Sequence, residues 1–432
     1  MEILLIGNGF DLEHKLPTSY RNFLEFCERV RRIFTFSESA HLSEYRSKNI
    51  DNWEIDDSIK EVLLLGFEKR TFTRVLKEDT YITEATTPYD VLNELYVNLS
   101  NNVWLNYFLT CPSYIGENWI DFESEISRVI QALDAARLQI SHGGNIQNIK
   151  NSDSVVIVAL IKAAKGSMRA ALQDTAAIDK FIELLNAELE KLIRALEIYI
   201  VEFVGKITIS TKSVDIENLH PDCVLSFNYS DTYERVYGNG KKIQYDYIHG
   251  KADIRKSVKS SNLVLGIDEY LGDDRKNCDL EFLPFKKYYQ RIYKSTGNAY
   301  LNWVDRIKKD DAEYHRKVNL AYTGEADPLY SFPWQKRYYL NVSSIDRPEH
   351  TLYIFGHSLD ITDKDILKLF ICNDNVQTKI FYHRKSEDDK TALRKLIRNL
   401  VQIMGQDELI RRTGGSCKTI EFIPQTLSHN EQ

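Results

Sequence analysis

Short apolar runs alternate along this chain with longer segments in which apolar residues recur at helical spacing. Residues 3–6 are Ile-Leu-Leu-Ile and stop at a glycine, which predicts a buried strand of a parallel sheet. The spacing over residues 20–34 predicts a helix, and Thr18 or Ser19 can cap its exposed N–H groups. Residues 37–89 carry only a weak pattern. Residues 1–89 are interpreted as the first part of an α/β core.

Helical periodicity dominates from residue 90 to residue 206. Two sets of apolar residues each share one helical face: Phe122, Ile126, Val129, Ile130 and Leu133, and then Ile178, Ile182, Leu185, Leu189, Leu192, Leu196 and Ile200. Residues 142–154 are rich in Gly, Asn and Ser and predict a loop between them. We interpret residues 90–206 as a helical insertion in the α/β core, and a separate helical domain is the alternative.

Strand and helix patterns alternate again in residues 207–432, which are interpreted as the remainder of the core. Strands are predicted at 224–227, 245–248, 263–266, 352–355, 378–382 and 419–423, helices at 283–294, 363–370 and 386–403, and an irregular polar stretch at 309–349. Strands that alternate with helices indicate a mainly parallel, doubly wound, Rossmann-like sheet with helices on both faces. The predicted fold class is therefore α/β with a large helical insertion.

Charge and cysteine usage narrow the class of protein. The formal net charge of −7 over 432 residues argues against broad nucleic-acid binding, which needs clustered positive charge. The six cysteines form no CxxC pair, so no metal site is expected from them. Scattered cysteines without a recognisable secretory signal predict a cytoplasmic protein. No apolar run approaches the roughly 20 residues that span a bilayer, so no membrane partner is expected.

Two glycine turns that follow apolar runs suggest two halves of a nucleotide cleft. The first is GNGFD, in which Gly7 and Gly9 would let backbone N–H groups approach a phosphate, and Asn8 and Asp11 would bond a ribose or orient water. A tight strand-to-helix turn capped by Asp11 is the alternative interpretation. Ligands of open α/β sheets lie beyond the carboxyl ends of the strands, where such turns are found.

The second glycine turn is FGHSLDITDKDIL. Gly356 permits close approach and Ser358 can bond a ribose or phosphate oxygen, while His357 is a weaker candidate for a role in binding or catalysis. Asp360 and Asp363 are expected to cap the next helix.

Polar side chains end two further predicted strands. Asn228 follows the strand at 224–227, and an amide there can donate and accept hydrogen bonds without a titrating charge. His249 follows the strand at 245–248 and can take a proton from water or a ribose hydroxyl near neutral pH. A turn asparagine and a structural histidine are the alternatives. Asp268 and Glu269 follow the strand predicted at 263–266.

Two charged patches have plainer interpretations. Asp121 and Glu123, in NWIDFE, are expected to complement a helix dipole. Lys287 and Arg291 lie one turn apart on a predicted helix, where they can meet a diphosphate or form a solvated basic face.

The ordered set of motifs resembles the AbiH family of bacterial phage abortive-infection proteins. The resemblance spans nearly the whole chain and is carried by GNGFDL with LPTSY, NWIDFE, LSFNYSDTYE, YIHGKA with LVLGIDE, FKKYYQRI with TG, and FGHSLDITDKDI. It implies a role in antiviral defence and a phage-derived trigger. Whether the chain forms a homo-oligomer stays open.

A more distant resemblance is to sirtuin-like NAD-binding domains. In that family an early glycine turn holds the diphosphate, an Asn and a His flank the nicotinamide ribose, and a late GlySer loop holds the adenosine side. The matching positions here are Gly7 with Gly9, Asn228, His249, and Gly356 with Ser358. The paired zinc cysteines of the deacylating members are absent, which points towards relatives that hydrolyse NAD.

These resemblances imply a defence protein that binds NAD or a related nucleotide and cleaves the nicotinamide–ribose bond. Asn228 would position the ribose or a water, and His249 would be the general base. A non-catalytic nucleotide sensor of the same fold is one alternative. A Mg²⁺-dependent nuclease that uses Asp11, Asp268 and Glu269 is the other.

Overall fold

A computed structural model gives the fold of most of the chain. It describes residues 1–36, 41–73, 88–111, 121–144, 151–165, 174–238, 240, 242–256, 261–272, 274–323 and 345–427. Within these ranges, helices and strands alternate around one sheet, and a large body of helices packs beside it. The predicted α/β class is confirmed.

The sheet contains six strands, and all of its pairings are parallel. The strands are β1 (Glu2–Ile6), β2 (Cys223–Ser226), β3 (Gln244–Tyr247), β4 (His350–Phe355), β5 (Val376–Tyr382) and β6 (Ile420–Pro424). Their order across the sheet is β3-β2-β1-β4-β5-β6. The order reverses between β1 and β4, and this switch point is where doubly wound sheets form a ligand crevice.

The helices of the described residues follow the chain around this sheet. They are α1 (Asn8–Glu13), α2 (Tyr20–Thr35), α3 (Leu42–Asn49), α4 (Asp57–Thr73), α5 (Pro88–Leu99), α6 (Val103–Phe108), α7 (Phe122–Ser141), α8 (Asn151–Ala163), α9 (Thr175–Ile198), α10 (Val214–Glu217), α11 (Thr232–Tyr237), α12 (Lys287–Tyr293), α13 (Tyr300–Thr323), α14 (Lys364–Ile371), α15 (Thr391–Met404) and α16 (Gln406–Thr413). Ser19 caps α2 by accepting the Asn22 N–H, as its position in the sequence predicts.

Both faces of the sheet are buried, as β1 illustrates. Ile3 and Leu5 belong to a core formed with α13 to α16, whereas Leu4 and Ile6 face a second core that includes Phe10. Apolar residues on both sides of a strand explain why β1 is a continuous apolar run and not an alternating one. The sheet is doubly wound, as predicted.

A third core lies in the helical body. It joins residues of α2 to α9 with Phe285 and with the segment from Leu263 to Ile267. The Tyr199 hydroxyl, just after α9, donates to the Pro17 carbonyl oxygen at 2.7 Å and so ties this body to the segment before α2. The division of the chain at residues 89 and 206 stays a prediction.

The strand predicted at 263–266 is wrong. Residues 261–266 have no regular secondary structure, and an isolated bridge joins Ile267 to Lys286. The Leu265 N–H donates to Gln290 Oε1 at 3.0 Å, and Gln290 Nε2 donates to the Leu265 carbonyl oxygen at 3.1 Å. A buried side-chain amide therefore takes the place of a neighbouring strand.

The irregular stretch predicted at 309–349 is wrong in its first part. Residues 309–323 continue α13, and salt bridges one turn apart, such as Arg316 with Glu313, line this polar helix. Residues 345–349 are irregular, and 324–344 lie outside the described residues.

The loop predicted at 142–154 is shorter at its end, because α8 already begins at Asn151. Residues 145–150 lie outside the described residues.

Three helices begin later than predicted. A 3₁₀ turn at Leu283–Phe285 precedes α12, another at Ile361–Asp363 precedes α14, and α15 begins at Thr391. Each predicted helix therefore exists, with a later first residue.

The glycine turns after β1 and β4 lie against each other at the switch point. The Gly7 N–H donates to the Phe355 carbonyl oxygen at 3.1 Å, and the Gly9 N–H donates to the Gly356 carbonyl oxygen at 2.8 Å. Gly356 has a φ of +68°, and a Cβ there would lie 2.1 Å from the Phe10 nitrogen. A side chain at Gly356 is thus excluded by both backbone conformation and space.

Replacement of Gly356 by Ala tests this contact. We expect Gly356→Ala to lower the free energy of unfolding by about 3 kcal/mol or more, because the left-handed conformation and the clash both add cost. Gly415→Ala is the matched control, since Gly415 has the same φ of +68° but nothing within 4 Å of the added Cβ. It should lose only about 1 kcal/mol in urea denaturation. Equal losses for the two variants would contradict the close approach.

Candidate functional site

A cavity of about 420 Å³ lies beyond the carboxyl ends of the strands at the switch point. The segments that follow β1, β2, β3 and β4 contribute Gly7, Asn228, His249 and Gly356 to its wall. Parallel strands end at a common edge, which brings together residues that are more than 300 positions apart in the chain. The residues that the sequence suggested for the NAD or nucleotide site all line this cavity: Gly7, Asn8, Gly9, Asp11, Asn228, His249, Gly356, His357 and Ser358.

The glycine turn after β1 is held by hydrogen bonds within the protein. The Gly7 and Gly9 N–H groups donate to the turn after β4, as described above, so they do not point freely into the cavity. Asn228 Nδ2 donates to the Gly7 carbonyl oxygen at 3.0 Å, and Asn8 Oδ1 accepts from the Thr18 hydroxyl at 2.7 Å. Asn8 and Asn228 therefore fix the shape of the turn, in addition to lining the cavity.

Asp11 lies at the cavity wall as a buried acid. Its Oδ2 accepts from the Ser230 hydroxyl at 2.6 Å, while Oδ1 has no hydrogen-bond partner in the described part of the chain. Burial raises the pKa of Asp11 to about 6, although the bond from Ser230 opposes the shift. The Ser230 hydroxyl thus bonds to Asp11, and α11 begins after Asp231 without a side-chain capping bond.

His249 is buried and has one ring nitrogen without a partner among the described residues, Nδ1. Its Nε2 lies 3.8 Å from Asp363 Oδ1. Burial, and then the nearby Lys287 ammonium, lower the pKa of His249 to about 3. The imidazole is therefore neutral at physiological pH.

His357 shares Asp363 with His249. His357 Nδ1 accepts the Leu359 N–H at 2.9 Å, and its Nε2 lies 3.4 Å from Asp363 Oδ2. The Phe227 ring makes an edge contact with each imidazole, at centroid distances of 5.6 Å to His249 and 4.4 Å to His357. Two histidines and one carboxylate thus form a packed group at the cavity.

Lys287 and two carboxylates form a buried charge cluster beside the histidines. Lys287 Nζ lies 2.6 Å from Glu123 Oε2 and 3.4 Å from Asp363 Oδ1, and the Lys287 side chain is 4 % exposed. Glu123 and Asp363 line the cavity. The expected solvated role of Lys287 is therefore wrong, because its side chain is buried and paired with two protein carboxylates. Its binding of a diphosphate stays a prediction.

The expected capping role of Asp363 is also wrong. Asp363 precedes α14 but makes no capping bond with its side chain, which turns to Lys287 and the histidines instead. Asp360 does cap the preceding turn by accepting the Thr362 N–H at 3.1 Å. In NWIDFE, Asp121 caps α7 by accepting the Glu123 N–H, and residues 118–120 lie outside the described residues.

The pKa values of the two carboxyl groups in the cluster shift in opposite directions. Burial raises the pKa of Glu123 to about 8, and the Lys287 ammonium opposes this shift. Burial alone would also raise the pKa of Asp363, but Lys287 and His357 outweigh it and hold the pKa well below its usual range. Lys287 thus favours the ionised form of Asp363, whereas burial favours the protonated form of Glu123.

A second cavity, of about 440 Å³, adjoins the first on the side of β5 and β6. The two cavities share part of their lining, namely Gly9, Leu12, Gly356, His357, Ser358 and Lys395. Ser358 and Lys395 are exposed at this junction. The contact between the two glycine turns therefore lies between two adjoining chambers.

The residues of the nuclease alternative are not assembled. Asp11 lines the 420 Å³ cavity, whereas Asp268 and Glu269 line a different one of about 330 Å³. Lys286 Nζ pairs with Glu269 at 2.7 Å. Across the described residues, no group of three or more His, Cys, Asp or Glu side chains could hold a metal ion.

Comparison with known families identifies the chain. The family model described as bacteriophage abortive infection AbiH matches residues 3–383. The chain belongs to the AbiH family. No curated protein and no solved structure matches it significantly. Among the described helices of this AbiH protein, none is long and apolar enough to cross a membrane.

The buried Asp11 carboxylate predicts a specific pH dependence of stability. The folded state holds this proton up to about pH 6 and the unfolded chain only to about pH 4, so Asp11 lowers stability progressively as pH rises from about 4 to 6, and the full cost remains above pH 6. Asp11→Asn removes this cost and keeps an acceptor for Ser230. We expect the variant to exceed the wild type by up to about 3 kcal/mol at pH 7.5 and by little at pH 4. Urea denaturation at both pH values measures this difference, and a pH-independent difference would contradict it.

Proposed function

We propose that this AbiH protein binds NAD or a related dinucleotide across the two adjoining cavities and hydrolyses its nicotinamide–ribose bond. The observation that carries the proposal is the position of the two chambers on either side of the switch point between β1 and β4. Dinucleotides in doubly wound sheets lie across this crevice, with one half on each side. Each chamber, at about 420 and 440 Å³, is in the size range of ligand pockets.

The charged and polar residues in the two chambers indicate which half of the dinucleotide each chamber would hold. Asn228, His249 and Asp363 line the chamber beyond β1 to β3, which would hold the reacting ribose. The other chamber, with Lys15 and Arg384 in its wall, would hold the adenosine half. Lys395 lies at the junction, where its positive charge is suited to the diphosphate. The N–H groups of the first glycine turn would not hold the diphosphate, because they already donate hydrogen bonds within the protein.

The proposed reaction needs one proton acceptor and one water. The C–N bond between ribose and nicotinamide breaks, and its electron pair leaves with the nicotinamide. The water oxygen bonds to the ribose carbon, and its proton passes to the neutral imidazole of His249, which lines the cavity. Asn228 would position the ribose or the water. Loss of NAD would stop host metabolism before phage release, which fits the abortive-infection family.

One observation favours the alternative of a non-catalytic nucleotide sensor. A histidine whose pKa is about 3 is a weak base, and the same cavity could bind a nucleotide without turnover. A charged ligand bound near His249 would change the pKa of its ring. A measurement of turnover therefore distinguishes the two functions.

Nicotinamide release from NAD by the purified protein tests the proposal. We expect turnover by the wild type and a loss of about 100-fold or more in His249→Gln, because the proton acceptor is removed. His142→Gln is the matched control, since His142 is exposed at the end of α7 and lies outside both cavities. Asn228 is a less clean target because it also tethers the Gly7 turn.

Calorimetry with NAD on the same samples separates the two functions. Binding without turnover by the wild type would favour the sensor. Neither binding nor turnover, or equal turnover in His249→Gln and His142→Gln, would contradict the proposed hydrolase.

A further inference from the structure

We infer that Asp363 is a positioning residue that fixes the tautomers of His249 and His357, and that Lys287 and Glu123 hold Asp363 in place for this task. The inference deepens the proposed function and rests on it only for its kinetic consequence. Its structural basis is the chain of contacts from Glu123 through Lys287 and Asp363 to the two imidazoles.

The tautomer of His357 follows from its own hydrogen bond. Its Nδ1 accepts the Leu359 N–H, so a neutral ring carries its proton on Nε2. That nitrogen is the one that faces Asp363 Oδ2, at 3.4 Å. A carboxylate on the far side of the ring is the arrangement that holds an imidazole in one tautomer and orientation.

The other oxygen of Asp363 faces His249. Nε2 of His249 lies 3.8 Å from Asp363 Oδ1, and an ionised carboxylate favours a proton on the nitrogen nearest to it. The lone pair then lies on Nδ1, a buried ring nitrogen that has no partner among the described residues. Asp363 therefore directs the accepting nitrogen of His249 away from itself.

Asp363 can do this only while it is ionised in a buried site. Lys287 supplies the compensating charge, and Glu123 fixes Lys287 from the other side at 2.6 Å. The groups that face the cluster come from several segments: Asp121 beside Glu123, Asp268 beside Lys287, Arg291 and Lys287 beside His249, and Tyr20 and Tyr229 near Glu123. Burial of a single carboxylate without Lys287 would instead favour its protonated form.

Glu123 connects this arrangement to the helical body. It lies in the first turn of α7, whereas Lys287 begins α12 and Asp363 precedes α14. The orientation of the histidines thus depends on the position of the first turn of α7. This gives the helical body a direct contact with the site.

Nitrogen NMR of the histidine rings in the full-length protein tests the inference without any need for turnover. We expect the wild type to show His249 and His357 each as a single neutral tautomer, protonated on Nε2. In Asp363→Asn the carboxamide offers one acceptor and one donor, so at least one ring should change to a mixture of tautomers. The ring signals are assigned from the spectra of His249→Gln and His357→Gln, each of which lacks one of the two rings.

Two further variants sharpen the result. Glu190→Gln is the matched control, because Glu190 pairs with Lys294 just after α12, at 3.1 Å, and lies outside the cavity. It should leave both rings unchanged. In Lys287→Met the pKa of the His249 ring should rise above its value in the wild type, because the Lys287 charge that helps to lower it is lost while burial remains. If this variant does not fold, Asp363→Asn decides alone.

Unchanged ring tautomers in Asp363→Asn, equal to those in Glu190→Gln, would overturn the inference. If the wild type releases nicotinamide, Asp363→Asn should also lower kcat by about tenfold or more while KM changes less than about threefold. A wild type without turnover would contradict the proposed function but leave the tautomer test intact.

Discussion

The contact between the two glycine turns at the switch point is the constraint on which the rest of the site depends. Gly9 bonds to Gly356 through the backbone at 2.8 Å, and neither position has room for a side chain. This approach lets the segments after β1 and β4 lie side by side while a chamber opens on each side. The glycines are thus needed for the close packing of the two turns. A ligand would be held in the chambers on either side of this contact.

The second organising feature is the buried pairing of Lys287 with Glu123 and Asp363. A buried lysine is costly unless carboxylates compensate it, and a buried pair that loses one partner leaves an unpaired charge. The three residues come from three separate segments, so their pairing fixes those segments relative to one another. The stability of the fold and the tautomers of the two histidines are therefore expected to depend on the same buried pairing.

The sequence predicted the sheet well because its strands are apolar runs that end at glycine, asparagine or histidine. Those endings place Gly7, Asn228 and His249 at one edge once the strands are parallel. The strand at 263–266 was wrong, since an equally apolar segment is satisfied by the Gln290 side chain, and no local pattern reveals that partner. The roles of Asp363 and Lys287 were missed for the same reason, because a helix-start aspartate and a helical lysine have ordinary local explanations.

We propose that the two chambers together bind one dinucleotide, and calorimetry with ADP-ribose is the first experiment to make. ADP-ribose keeps the diphosphate and both sugars but cannot react. Ser358 is exposed and lines both chambers, so Ser358→Trp would block the junction without disturbing a buried contact. We expect the wild type to bind ADP-ribose and the variant to bind it about tenfold or more weakly. No binding by the wild type, or equal affinity in the two proteins, would contradict it.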